Sequence, residues 1–299
     1  MPTTTRRSFL GAAAAAGTLA FVRPVHSQPS ANDKPLKMGI IGVGWYGMVD
    51  AKAALKVGGV EVTAVCDVDS EHLDQSVAEL DKLQGKKPQT FKLYTEMLDQ
   101  ADLDVVVIAT PPHWHALQLI ACLERGVDVY AEKPLAYDVR EGRALVDAAK
   151  KHADRIVQVG FQRRQSQAFR EAAEFVKAGK AGKIVQADVQ IHYRTGTLDP
   201  TPQDPPASLD WDLWCGPGPK IPYSPQVGHK NWRLEKTSGH GHLVDWGIHN
   251  IDATRMMLGL TTPKQITAAG GLYYLKDKIT TPDTLTVHFE FEQLPVVWR

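Results

Sequence analysis

The chain has 299 residues, more than one hydrophobic core usually organises, so two domains are expected. Its 34 Lys and Arg balance 34 Asp and Glu, which excludes a whole-surface attraction to nucleic-acid phosphate or to an anionic membrane. A small neutral ligand suits this balance better.

At the N-terminus, Thr5, Arg6, Arg7, Ser8, Phe9 and Leu10 lead into the apolar run FLGAAAAAGTLAFV and a polar stretch from Arg23 to Ala31. This is the pattern of a twin-arginine export signal. The run is shorter than the roughly 20 residues that span a bilayer, so a cleaved leader with Val25 and Ser27 before the cut is expected, not a stable membrane anchor. Residues 1–33 are therefore set aside as signal and linker. The expected partner is the twin-arginine export machinery, and the expected location is periplasmic or otherwise extracytoplasmic after folding in the cytoplasm. Cys66, Cys122 and Cys215 are odd in number and lie in a strand, a helix and a Trp-rich loop. They read as buried free thiols, not a disulfide framework.

From Lys37 the chain runs as an apolar strand, the turn GVGWYG, a helical stretch YGMVDAKAALKV and the β-branched strand VEVTAVCDVD. Gly42, Gly44 and Gly47 form GxGxxG, a weak signal alone. Here it has its required context, because Asp67 ends the second strand 67 − 47 = 20 residues after the third glycine. A carboxylate there accepts both ribose hydroxyls and repels a 2′-phosphate, so NAD is favoured over NADP. Further strands, DLDVVVIAT, VDVYAEKPLA and RIVQVGF, complete an α/β domain over 34–160. Ligands bind at the carboxyl ends of such strands. The candidate cofactor contacts are therefore Gly42, Gly44, Trp45, Tyr46, Gly47, Asp67, Thr110, Pro111, His113, His115, Glu132, Lys133 and Gln162. His113 and His115 read as packing and cofactor-contact residues placed just before a helix, not as proton donors.

Over 161–299 the helix AFREAAEFVKAG, the alternating IVQADVQIHYR, a Pro- and Trp-rich loop from Thr195 to Pro225, and the strands ITAAGGLYYL and DTLTVHFEFE read as an α+β domain with an open, mainly antiparallel sheet.

Taken in order, GVGWYG, Asp67, IATPPHWH, AEKPLA, GFQRR, WDLWCGP and DWGIHNID resemble the glucose-fructose oxidoreductase, inositol dehydrogenase and MocA family across nearly the whole chain after the leader. The resemblance implies an NAD(P)-dependent oxidoreductase acting on CH–OH groups of a sugar, cyclitol or related polyol. Lys133, Asp245 and His249 would be its catalytic set. The chemistry is consistent, since alcohol oxidation needs a base for the hydroxyl proton as hydride leaves. A lysine serves where burial and neighbouring charge ease its deprotonation, and a histidine is a natural second proton carrier. Asp245 and His249, at i and i+4, would share one helical face. Arg163, Tyr193, Trp232, Arg233 and His249 are the candidate substrate contacts. No metal set is assigned: His240, His242, Asp245 and His249 supply suitable donors, but the glycine-rich SGHGH loop gives the first two no fixed spacing. Two alternatives are a redox-neutral, NAD-dependent cleavage of glycosides through a keto sugar, and a non-catalytic sugar-binding protein. An exported enzyme would need a tightly held cofactor. Relatives continue beyond LPVVWR, so a C-terminal truncation is expected, with homo-oligomer contacts through the C-terminal sheet if the protein is longer.

Overall fold

The computed structural model describes residues 34–191 and 195–299, so the twin-arginine segment and Tyr193 lie outside the described residues. β1 (Leu36–Ile41) is the run LKMGII, buried over its last four residues. α1 (Trp45–Val57), β2 (Val60–Cys66), α2 (Ser70–Gln84), β3 (Gln89–Phe91), α3 (Tyr94–Gln100), β4 (Val105–Ile108), α4 (Pro112–Glu124), β5 (Asp128–Glu132), α5 (Val139–Lys151) and β6 (Val157–Gly160) follow. The six strands form a sheet in the order β3-β2-β1-β4-β5-β6, every pair parallel. A parallel sheet is covered on both faces, which is why its strands read as unbroken apolar runs. Ile40 and Val107 join one core with Met48 and Ala51 of α1 and Leu80 of α2. Their neighbours Ile41 and Ile108 join the other, with Leu119 and Leu123 of α4. At roughly 1.5–3 kcal/mol for each large side chain fully buried, these two layers outweigh any contribution from exposed ion pairs.

Helix starts decide where ligands can go. Asp69 caps α2 and Asp138 caps α5 by accepting backbone N–H bonds from Glu71 and Glu141, each at 2.9 Å. The N-cap of α1 is Gly44, with no side-chain cap and no acidic residue in the first turn, so its N–H groups remain available to an anion. α4 starts at Pro112, its first-turn proline. His113 to His115 are thus the first turn of that helix and not a loop ahead of it, as the sequence suggested; proline at a helix start has φ already set for it.

In the second part lie α6 (Gln167–Lys177), β7 (Ala187–Val189), α7 (Trp211–Cys215), α8 (Gly241–Leu258), β8 (Gln265–Gly271), β9 (Thr284–Glu290) and β10 (Pro295–Trp298). The sheet is mixed, ordered β7-β10-β9-β8, with β9 antiparallel to both neighbours and β7 parallel to β10. Its core is Leu260, Phe291, Leu294 and Val296, packed with Ile251 and Leu258 of α8. A Cβ on Gly247 would lie 3.1 Å from the Trp298 ring, so this glycine lets α8 approach β10. β7 is shorter than the alternation of IVQADVQ suggests, because its partner β10 has only four residues. The Pro- and Trp-rich loop contains α7, where Trp211 and Trp214 stack at 4.5 Å and are buried with Leu209 and Val227. All three cysteines are buried and free. Among the described residues no helix is long and apolar enough to cross a membrane.

Candidate active site

Strand order reverses between β1 and β4, and their carboxyl ends open a cleft there, the switch point at which doubly wound sheets bind ligands. Gly42 sits at φ +88, and a Cβ there would lie 2.8 Å from the Thr110 nitrogen. A Cβ on Gly47 would overlap the Gly42 carbonyl oxygen. Both positions therefore require glycine, one for its turn and one for helix–strand contact. Asp67 closes the turn: Oδ2 accepts the Val43 N–H at 2.9 Å and Oδ1 the Asp69 N–H at 3.0 Å. Each oxygen keeps a lone pair for a hydroxyl.

Two cavities continue from this turn. One, of about 230 Å³, is lined by Gly42, Gly44, Asp67, Thr110, Pro111 and Trp214 among others. The other, of about 690 Å³, is lined by Glu132, Lys133, Gln162, Trp232, Asp245 and His249 among others. They share Trp45, Tyr46, Thr110 and Arg233, and so make one trough of a size suited to an extended ligand. The residues fit a dinucleotide: the glycines that a Cβ would fill, the uncapped start of α1, the Asp67 carboxylate and the buried His249 Nδ1, which has no hydrogen-bond partner.

At the wider end three charges meet. Lys133 follows β5, and its Nζ donates to Asp245 Oδ1 at 2.8 Å and to the Asp245 carbonyl at 3.2 Å. Arg233 Nε donates to Asp245 Oδ2 at 2.7 Å. Its guanidinium lies 4.3 Å from the Trp232 ring. Burial alone would push the Asp245 carboxyl up, but Arg233 and Lys133 outweigh it and hold it below the usual range. Left unpaired, such a buried carboxylate would cost several kcal/mol. Its position is set by α8, where His249 stands one turn further on.

His249 lines the same cavity as Lys133 and Asp245. Burial, then the nearby Lys133 and Arg163 charges, push its imidazole down to about 4. An imidazole so placed is neutral at pH 7, the form that accepts a hydrogen bond or a proton.

His113 and His115 are buried and line neither cavity. His113 Nε2 bonds the Trp214 carbonyl at 2.9 Å, whereas the His115 ring lies between the carbonyls of Thr110 and Pro134, 2.6 and 2.7 Å from its nitrogens, and as a neutral ring donates to one of them. His115 thereby joins the two loops that carry Thr110 and Lys133. Gly47 lies under the turn. Arg163 turns away from the cavity, bonding Asn250 on α8 and lying 5.6 Å from the Phe169 ring.

Sequence reading missed the Arg233–Asp245 pair, Gln118, which accepts from Thr110 Oγ1 at 2.7 Å, and the half-buried Asp50, which the Glu132 charge reaches. Burial and the Glu132 charge push Asp50 up to about 7, and burial pushes Glu132 to about the same value. Gly160 leaves the space for Glu132, since a Cβ there would overlap its carboxyl. The signal for Asp50 was present: the one acid in the helix WYGMVDAKAALKV.

A doubly wound domain whose turn fits a dinucleotide is joined to an α+β domain, with a Lys–Asp–Arg cluster in the trough that both line. Residues 36–161 match the model of the oxidoreductase family with an NAD-binding Rossmann fold, GFO_IDH_MocA, and residues 169–297 match that family's C-terminal domain, GFO_IDH_MocA_C3. Together these cover most of the chain, which belongs to the GFO/IDH/MocA family. An inositol 2-dehydrogenase of Salmonella typhimurium is 31% identical over 164 residues, 54% of this chain and 47% of that protein. A glycosyl hydrolase family 109 protein of Shewanella pealeana is 33% identical over 168 residues, 49% of this chain and 37% of that protein. The chain thus aligns with less than half the length of either relative. Among solved structures, myo-inositol 2-dehydrogenase from Lactobacillus plantarum superposes with a TM-score of 0.66 at 25% identity, over 89% of this chain and 69% of that one.

Proposed function

We propose that this protein is an NAD-dependent dehydrogenase of a cyclitol, sugar or related polyol, with Lys133 as the proton-transferring residue. The observation that carries the reading is the Lys133 Nζ–Asp245 Oδ1 contact of 2.8 Å inside a trough that fits a dinucleotide. Bound NAD supplies the hydride acceptor for the carbinol carbon. As the neutral amine, Lys133 keeps two N–H groups for Asp245 and takes the hydroxyl proton on its lone pair in oxidation; as the ammonium it returns that proton in reduction. Asp245 engages it through two acceptors, which leaves the third nitrogen position for a substrate oxygen. Arg233 balances Asp245 and, with Trp232, forms a wall for a ring bearing hydroxyls. Neutral His249 offers a second hydrogen bond to such a ring. Export by the twin-arginine route, with the cofactor retained through successive turnovers, belongs to the same proposal.

A second reading keeps the cofactor and makes the net reaction glycoside cleavage through a keto sugar. The glycosyl hydrolase family 109 relative favours it. One experiment tests both: the protein is purified without added nucleotide, denatured, and its released small molecules are identified by mass spectrometry. It is then assayed with inositols and with aryl glycosides. Near-stoichiometric NAD with NADH formation on inositols supports the dehydrogenase. Aglycone release without net NADH supports the second reading. Absence of bound nucleotide together with no binding of added NAD or NADP would sink both.

A further inference from the structure

On the Asp67 side of the trough, three side chains converge that the Lys133 chemistry does not use. Asp69 is buried at the start of α2, its Oδ1 committed to the Glu71 N–H. Its Oδ2 meets His229 Nε2 at 2.8 Å. The His72 ring lies against that of His229, with centroids 4.2 Å apart. One donor atom from each of Asp69, His72 and His229 lies within 4.8 Å of the other two. We propose that these three side chains bind a divalent transition metal of the zinc class, clasping α2 to the turn that carries Trp232 and Arg233.

Two imidazoles and one carboxylate form the donor set of three-ligand zinc sites, in which water completes a tetrahedron. Zinc–ligand bonds of about 2.0–2.1 Å place donors about 3.3 Å apart. His229 must therefore withdraw slightly from Asp69 while His72 swings in. Both rings can do so, since their side chains are 35% and 25% exposed while Asp69 stays fixed by its helix-capping bond. An outer carboxylate stands beside the cluster: His72 Nδ1 lies 3.8 Å from Asp67 Oδ2. A metal-free clasp made by the Asp69–His229 hydrogen bond alone is the competing account.

The test uses the full chain, tag-free and stripped by chelator, dialysed against zinc chloride, with bound zinc counted by plasma mass spectrometry. Wild type is expected to retain one zinc per chain. His72→Ala and His229→Gln should weaken binding by more than the roughly 10–100-fold that loss of an outer-shell partner costs. The glutamine keeps a donor toward Asp69 at similar reach, so the metal-free clasp survives in that variant. His288→Ala, on β9, should bind as wild type. Zinc should raise the Tm of wild type and not of His229→Gln, because only a ligand held by the native state stabilises it. Failure of wild type to retain zinc, or equal retention by His72→Ala and His229→Gln with unchanged circular dichroism, overturns the proposal.

Discussion

At the residue scale, Lys133 and Asp245 carry separable effects. In Lys133→Met the side-chain length is kept and Arg233 still neutralises Asp245. Turnover should fall about 10²–10⁴-fold, the usual contribution of a positioned acid or base, while nucleotide content and Tm stay near wild type. In Asp245→Asn, Lys133 and Arg233 lose the carboxylate between them, their side chains only 11% and 19% exposed. That substitution should lower stability by about 3 kcal/mol as well as activity, seen as a reduced urea midpoint. Equal stability loss in both variants would show that Lys133 is chiefly a structural partner. His249 should titrate near 4 by NMR, so turnover should show no ionisation belonging to it between pH 6 and 8. A midpoint near 6.5 would mean that its surroundings do not depress it.

At the element scale, the strand–turn–helix that starts the first domain depends on one backbone position. Gly42→Ala puts a methyl at φ +88 against the Thr110 nitrogen, adding a clash to the roughly 1–2 kcal/mol that a left-handed conformation costs. NAD affinity should drop at least tenfold, measured by fluorescence titration. Gly85→Ala is the control: φ +72 at the end of α2 with nothing within 4 Å of the added methyl, so it should cost stability and leave NAD binding unchanged. Equal NAD affinity in Gly42→Ala and Gly85→Ala would mean that the turn does not cradle the cofactor. This turn was legible in the sequence because all its determinants are local, an apolar run, three glycines and an acid at fixed spacing. So were Lys133 before Pro134 and the i, i+4 pair of Asp245 and His249. What spacing could not give were contacts closed by tertiary folding: Arg233 reaching back to Asp245 from a 3-10 turn, and His229 meeting Asp69 across 160 residues. The depressed His249 pKa was likewise hidden, since it comes from burial and from Lys133 on another element.

Across the whole molecule, buried ionisable groups oppose one another in pH. Burial pushes His115 and His249 down to about 4 from 6.5. Between those values the unfolded chain binds more protons, so stability falls as pH drops through that window. Asp50 and Glu132, raised to about 7 from 3.8 and 4.5, work the other way. The folded state then binds more protons, so stability is lost as pH rises from about 4 toward 7. Each shift is of order 3 kcal/mol, and the two pairs nearly cancel. Below about pH 4 the balance fails, because Asp245 and Asp283 are held low by their partners and lose stability as they protonate. Wild type should therefore show a Tm that changes little between about pH 4.5 and 7. Asp50→Asn removes one of the two raised carboxyls and leaves Glu132 to oppose both histidines. In that variant the histidine contribution should dominate, so Tm should climb with pH across the same window and equal or exceed wild type at pH 7. Thermal unfolding at four pH values decides it. A variant profile as flat as wild type would mean that Asp50 is ionised in the folded protein and that its burial is relieved by solvent.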